Sequence, residues 1–121
     1  MSIKKAILDK NEGNEVEKSE YVNLILDDMQ IGAEISDEDR TFLEGFTETQ
    51  FLSLNSTGLK SLANLPHMIK LERLELCDNR IGTCEDTQAS FDKIHELYPN
   101  LKVFKLANNQ IKSLEELKGL A

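Results

Sequence analysis

Tryptophan is absent, and only seven of 121 residues are aromatic, so aliphatic side chains must fill any core. No apolar run approaches the ~20 residues of a membrane-spanning helix. Met1 to Lys10 lacks the apolar stretch of a secretory signal. Cysteine occurs twice, at Cys77 and Cys84. Without a secretion signal these read as free thiols of a reducing compartment, with a Cys77–Cys84 disulfide as the competing reading. Asn55-Ser56-Thr57 matches a glycosylation sequon, which the same absence makes fortuitous. Basic charge is also short: 14 Lys and Arg stand against 22 Asp and Glu, a net −8. That excludes a nucleic-acid backbone or an anionic membrane as the natural partner and favours basic proteins. Histidine occurs only at His67 and His95, away from any repeating ligand spacing, and C-x₆-C is no zinc knuckle. Neither a Gly-rich phosphate loop nor a nucleophile elbow is present. The expectation is a non-enzymatic protein with no cofactor, no metal and no small-molecule substrate.

What the chain does contain is a repeat. Leu71-x-x-Leu74-x-Leu76-x-x-Asn79-x-Ile81 is the consensus of a leucine-rich repeat. Leu74 and Leu76 lie two apart, so they share one side of a short strand while Arg73, Glu75 and Cys77 take the other. Asn79 falls where the chain must turn, and its amide can bond backbone groups left unpaired there. One such unit cannot bury its own leucines and needs copies on both sides.

The copies are Tyr21-x-x-Leu24-x-Leu26-x-x-Met29-x-Ile31, Thr49-x-x-Leu52-x-Leu54-x-x-Thr57-x-Leu59 and Leu101-x-x-Phe104-x-Leu106-x-x-Asn109-x-Ile111. Counted on the second leucine, the periods are 28, 22 and 30 residues. The long units have room for a helix, one started by Ser36 and packed through Phe42, Leu43 and Phe46, the other spanning Gln88 to Tyr98 and stopped by Pro99. Gly45 weakens the first of these helices. The short unit has only a tight turn at Gly58. Residues 2–10 form a short amphipathic helix in the place of an N-terminal cap, and residues 11–20 read as a polar loop. The fold class is thus α/β: one leucine-rich repeat solenoid over residues 1–121, with a cap at about 1–20 and repeats starting near 21, 49, 71 and 101. Its parallel sheet lines the concave face, with helices and 3₁₀ turns on the convex face. Leu114, Leu117 and Leu120 continue an apolar rhythm to the last residues, where a solenoid should carry a polar cap, so a further repeat or cap is expected beyond Ala121.

The order of these segments resembles the leucine-rich domain of the acidic leucine-rich nuclear phosphoprotein 32 family. The segments are Phe51 to Leu59, Leu62-Ala63-Asn64-Leu65-Pro66, Leu71 to Ile81, Tyr98-Pro99-Asn100-Leu101 and Leu106-Ala107-Asn108-Asn109-Gln110-Ile111. The resemblance implies a non-enzymatic adaptor of nucleus and cytoplasm: a histone chaperone, an inhibitor of histone acetylation or of protein phosphatase 2A, or a factor in messenger RNA export. It also implies a long Asp/Glu-rich tail, which this sequence lacks. The alternative is a spliceosomal structural subunit similar to the U2 A-prime protein. Partners would be basic proteins such as histones, or a phosphatase subunit.

The repeat register assigns the surface opposite the leucines: Asn23, Ile25 and Asp27; Phe51, Ser53 and Asn55; Arg73, Glu75 and Cys77; Val103, Lys105 and Ala107. Ile25, Phe51 and Val103 are apolar yet should face outward, rimmed by Asp27, Arg73, Glu75 and Lys105, as in a protein-binding patch. All the excess acidity is N-terminal: residues 1–50 hold 13 acidic and 5 basic side chains, whereas residues 51–121 hold 9 of each. Glu34, Asp37, Glu38, Asp39, Glu44 and Glu48 are equally a site for a basic partner or a solvated helix face. Leu71-x-x-Leu74-x-Leu76 also has the shape of a nuclear export signal, but in a folded repeat those leucines are core.

Overall fold

In the computed structural model, residues 3–12, 16–82 and 92–109 are described. They form helix α1 (Ile3–Lys10), a 3₁₀ turn (Lys18–Glu20), strand β1 (Asn23–Ile25), helix α2 (Asp37–Glu44), strands β2 (Phe51–Ser53) and β3 (Arg73–Glu75), the one-turn helix α3 (Ile94–Leu97) and strand β4 (Val103–Lys105). The strands make one parallel sheet in chain order, β1-β2-β3-β4. Leu24, Leu52, Leu74 and Phe104 stand opposite one another through all three pairings. This is a small α/β fold of leucine-rich-repeat type, and the register is the one the leucine spacing dictates. A slip of one residue would turn every leucine to water, which fixes the pairing.

Each crossover obeys the same local chemistry. Asp28, Ser56, Asp78 and Asn108, one per repeat, adopt the left-handed conformation that ends the strand (φ 57 to 66°). Short polar residues tolerate it best among those with a Cβ. The following position then stitches repeats together. Asn79 is buried; its amide donates to the carbonyls of Leu76 and Cys77 in its own turn and of Leu54 in the preceding repeat. Its oxygen accepts from the backbone N–H of Thr57 (2.8 Å) and the hydroxyl of Thr57. Asn109 repeats the motif, donating to Leu76 and Leu106 and accepting from Ile81 N–H. Where the second repeat has Thr57 at this position, the Ile31 N–H of the first repeat donates to the Thr57 carbonyl instead.

The core runs continuously from Ile3 and Ile7 of α1, through Phe42, Leu43 and Phe46, to the leucines of β2 and β3 and on to Ile94 and Tyr98. α1 is anchored by Asp39, whose buried carboxylate accepts from the N–H groups of Ile3 (2.8 Å) and Lys4 (3.0 Å). A carboxylate at unpaired first-turn N–H groups also complements the helix dipole. Asp39 therefore leaves the acidic surface to which the sequence assigned it. Ser36 caps α2 by accepting from Asp39 N–H, as expected, and α2 stops at Glu44 with Gly45 as its C-cap. A Cβ on Gly45 would lie 2.7 Å from Lys18 Nζ. The missing side chain thus makes room for Lys18, whose ammonium sits 4.3 Å from the centre of the Phe42 ring. This contact organises the 3₁₀ turn in a stretch expected to be plain loop. The second predicted helix is seen at Ile94–Leu97; its front half, Gln88 to Phe91, lies outside the described residues, as do Cys84, Ile111, Leu114, Leu117 and Leu120.

Two outcomes follow for stability. Asn79→Ala strands several buried backbone groups and should cost about 3 kcal/mol or more in urea unfolding, whereas Asn108→Gly, which removes one exposed bond to Asp78 and suits the left-handed backbone there, should cost under about 1 kcal/mol. Tyr98 is fully buried, its hydroxyl has no hydrogen-bond partner among the described residues, and burial with the nearby Glu44 charge pushes its phenol well above the ordinary range. Tyr98→Phe should therefore raise the melting temperature, by roughly 1 kcal/mol of added stability.

Candidate protein-binding face

Strand alternation places the leucine ladder on one side of the sheet and a mixed ladder on the other. The second face carries three rows across the strands. One is Asn23, Phe51, Arg73 and Val103; the next is Ile25, Ser53, Glu75 and Lys105. A third, just past the strands, is Asp27, Asn55, Cys77 and Ala107. Ile25 is 56% exposed and Val103 37%; Phe51 is half-buried, with the Arg73 guanidinium 5.2 Å from its ring centre. Arg73 turns the other way through Nε, donating to Glu75 Oε2 at 2.7 Å.

The middle of this face is a closed polar network. Ser53 donates its hydroxyl to Asp27 Oδ1, and Asn55 N–H donates to the same oxygen at 2.9 Å. The Asn55 amide donates to Ser53 Oγ (3.2 Å) and Glu75 Oε1 (3.1 Å), while its oxygen accepts from Cys77 N–H (2.7 Å). Four side chains from three repeats are thus held in fixed positions before any partner arrives. Ser53, expected as an exposed contact, is only 1% exposed, because Asp27 and Asn55 close over its short side chain. Its role is to hold the network. Cys77 is a half-buried free thiol. The hydrogen bond from Asn55 holds the Glu75 carboxyl below its ordinary range, with Arg73 and Lys105 acting in the same sense against the opposing effect of burial.

Other candidate groups are spread apart. His67 and His95 are both exposed, the first in the loop before β3 and the second on α3. Among the described residues no cluster of three or more His, Cys, Asp or Glu could hold a metal ion, and no helix is long and apolar enough to cross a membrane. Glu44 is engaged by His67 N–H and by Arg40, and Glu48 by Lys70, so these two acids are tied to structure. They line an open hollow of about 450 Å³ floored by Met68 and Ile69.

The chain is similar to an acidic leucine-rich nuclear phosphoprotein 32-related protein of Plasmodium falciparum. The two are 30% identical over 111 residues, which is 92% of this chain and 38% of the length of that relative. No family model matches the chain. The likeness supports the family to which the repeat motifs point.

The network yields a pH signature. The folded Glu75 pKa lies below its unfolded value, so its contribution is complete above pH about 4.5 and is lost as pH falls through the folded value. The stability gap between the wild-type chain and Glu75→Gln should be constant from pH 7 to about 5 and should narrow steadily towards pH 3 in urea titrations.

Proposed function

We propose that the chain is a non-enzymatic protein-interaction module of the acidic nuclear phosphoprotein kind, working in the nucleus and recognising basic proteins such as histones. Its binding surface is the concave sheet face of a repeat solenoid. The observation that carries this reading is the composition of that face: exposed Ile25 and Val103 and half-buried Phe51 flank charges that neighbouring repeats hold in place. Apolar anchors set among pre-oriented charges favour a folded protein over a small molecule. They lower the ordering cost of association while the charges select the partner. The excess of acid in residues 1–50 sets the sign of the selected partner as basic. The nuclear assignment draws on the name of the Plasmodium relative.

Pull-down of core histones at physiological salt tests the reading, with circular dichroism to establish that each variant is folded. Phe51→Ala and Asp27→Lys should each weaken capture roughly fivefold to tenfold, the second more strongly at low salt. Unchanged capture by both would remove the sheet face from recognition.

A further inference from the structure

The first strand breaks a pattern that its neighbours keep. In the row just ahead of the strands, β2, β3 and β4 are preceded by Gln50, Glu72 and Lys102, whereas β1 is preceded by Val22. In the row of Ser53, Glu75 and Lys105, β1 carries Ile25. The two apolar substitutions occur at the edge of the sheet, where proteins ordinarily place charge to discourage pairing. Val22 is 44% exposed and Ile25 56%, and strand alternation puts them on opposite faces of that edge.

The backbone at this edge is also open. Val22 O accepts from Gln50 and Phe51, and Leu26 N–H donates to Ser53 O, so the even-numbered residues turn towards β2. Alternation turns the N–H and C=O groups of Asn23 and Ile25 outward, and no hydrogen bond from α1, the 3₁₀ turn or another described segment reaches them. The surroundings set the charge of what could pair there. Within six positions of the strand the sequence carries Glu17, Glu20, Asp27 and Asp28 against Lys18, and Lys18 is committed to the Phe42 ring. A second copy of the chain would bring the same acids and a net −8 to this edge, so self-pairing is opposed by repulsion.

We propose that the outer edge of β1 takes an extended basic segment of a partner protein as an added strand. The segment's backbone pairs with Asn23 and Ile25, its apolar side chains cover Val22 and Ile25, and its Lys or Arg side chains meet the flanking carboxylates. This rests on the reading of the chain as a module for basic proteins and adds where the partner's backbone is held.

The test uses the 121-residue chain and an acetylated, amidated octapeptide of sequence Lys-Lys-Val-Val-Lys-Lys-Val-Val, which as a strand presents valine and lysine on both of its faces. Amide hydrogen exchange at Asn23 and Ile25 should slow roughly tenfold or more on binding, and N-methylation of one alternate set of peptide amides, not the other, should weaken affinity about tenfold. A Lys–Gly octapeptide of equal charge should bind markedly less. Peptide binding without protection of Asn23 and Ile25, equal loss from both methylation sets, or equal binding of the Lys–Gly peptide would each overturn the edge site. So would failure of the Lys–Val peptide while core histones still bind, which leaves the module reading intact. Failure of both peptide and histones would bring down the two together.

Discussion

The buried side chain of Asn79 is the joint on which the repeats depend. Leucines supply the burial, but apolar contacts are non-directional and would tolerate sliding of one turn past the next. Asn79 removes that freedom. It satisfies donors and acceptors of its own turn and of the preceding one at once, so two repeats must be in register for either to close. An unmet buried amide or carbonyl costs about 1–3 kcal/mol, so the slipped arrangement is strongly disfavoured. The same geometry recurs at Asn109, which sets β4 against β3.

Because the joint sits on the core side, the opposite face of the sheet is left to other uses. Its rows are set by the register that the asparagines enforce, and this brings Asp27, Ser53, Asn55 and Glu75 within hydrogen-bonding distance although they lie up to 48 positions apart. Charge on this face is therefore rigid rather than merely plentiful. Rigid charge discriminates between partners, since a mismatched group would meet a carboxylate that cannot swing away.

Much of this was legible in the residues. Spacing alone located the strands, the leucine ladder and the Ser36 cap. It failed where side chains act across repeats. Asp39 reads as one more surface acid in an acidic run, and only the approach of α1 reveals it as an anchor. Ser53 occupies an outward position but is roofed over by longer neighbours. The turn at Lys18 depends on a missing Cβ 27 positions away, at Gly45, which no local pattern records. Val22 could have been found from sequence by comparing residues down a row of the repeat instead of along the strand.

The asparagine joints also have a direction. Each reaches back towards the repeat made before it, never forward, so a turn is completed by residues synthesised 20 to 33 positions later. On the ribosome a newly emerged repeat would hold open hydrogen-bonding groups until its successor leaves the exit tunnel, and the structure would then close one coil behind the growing end. The joints thus act like a zip and its slider: each coil is closed by the one that follows it.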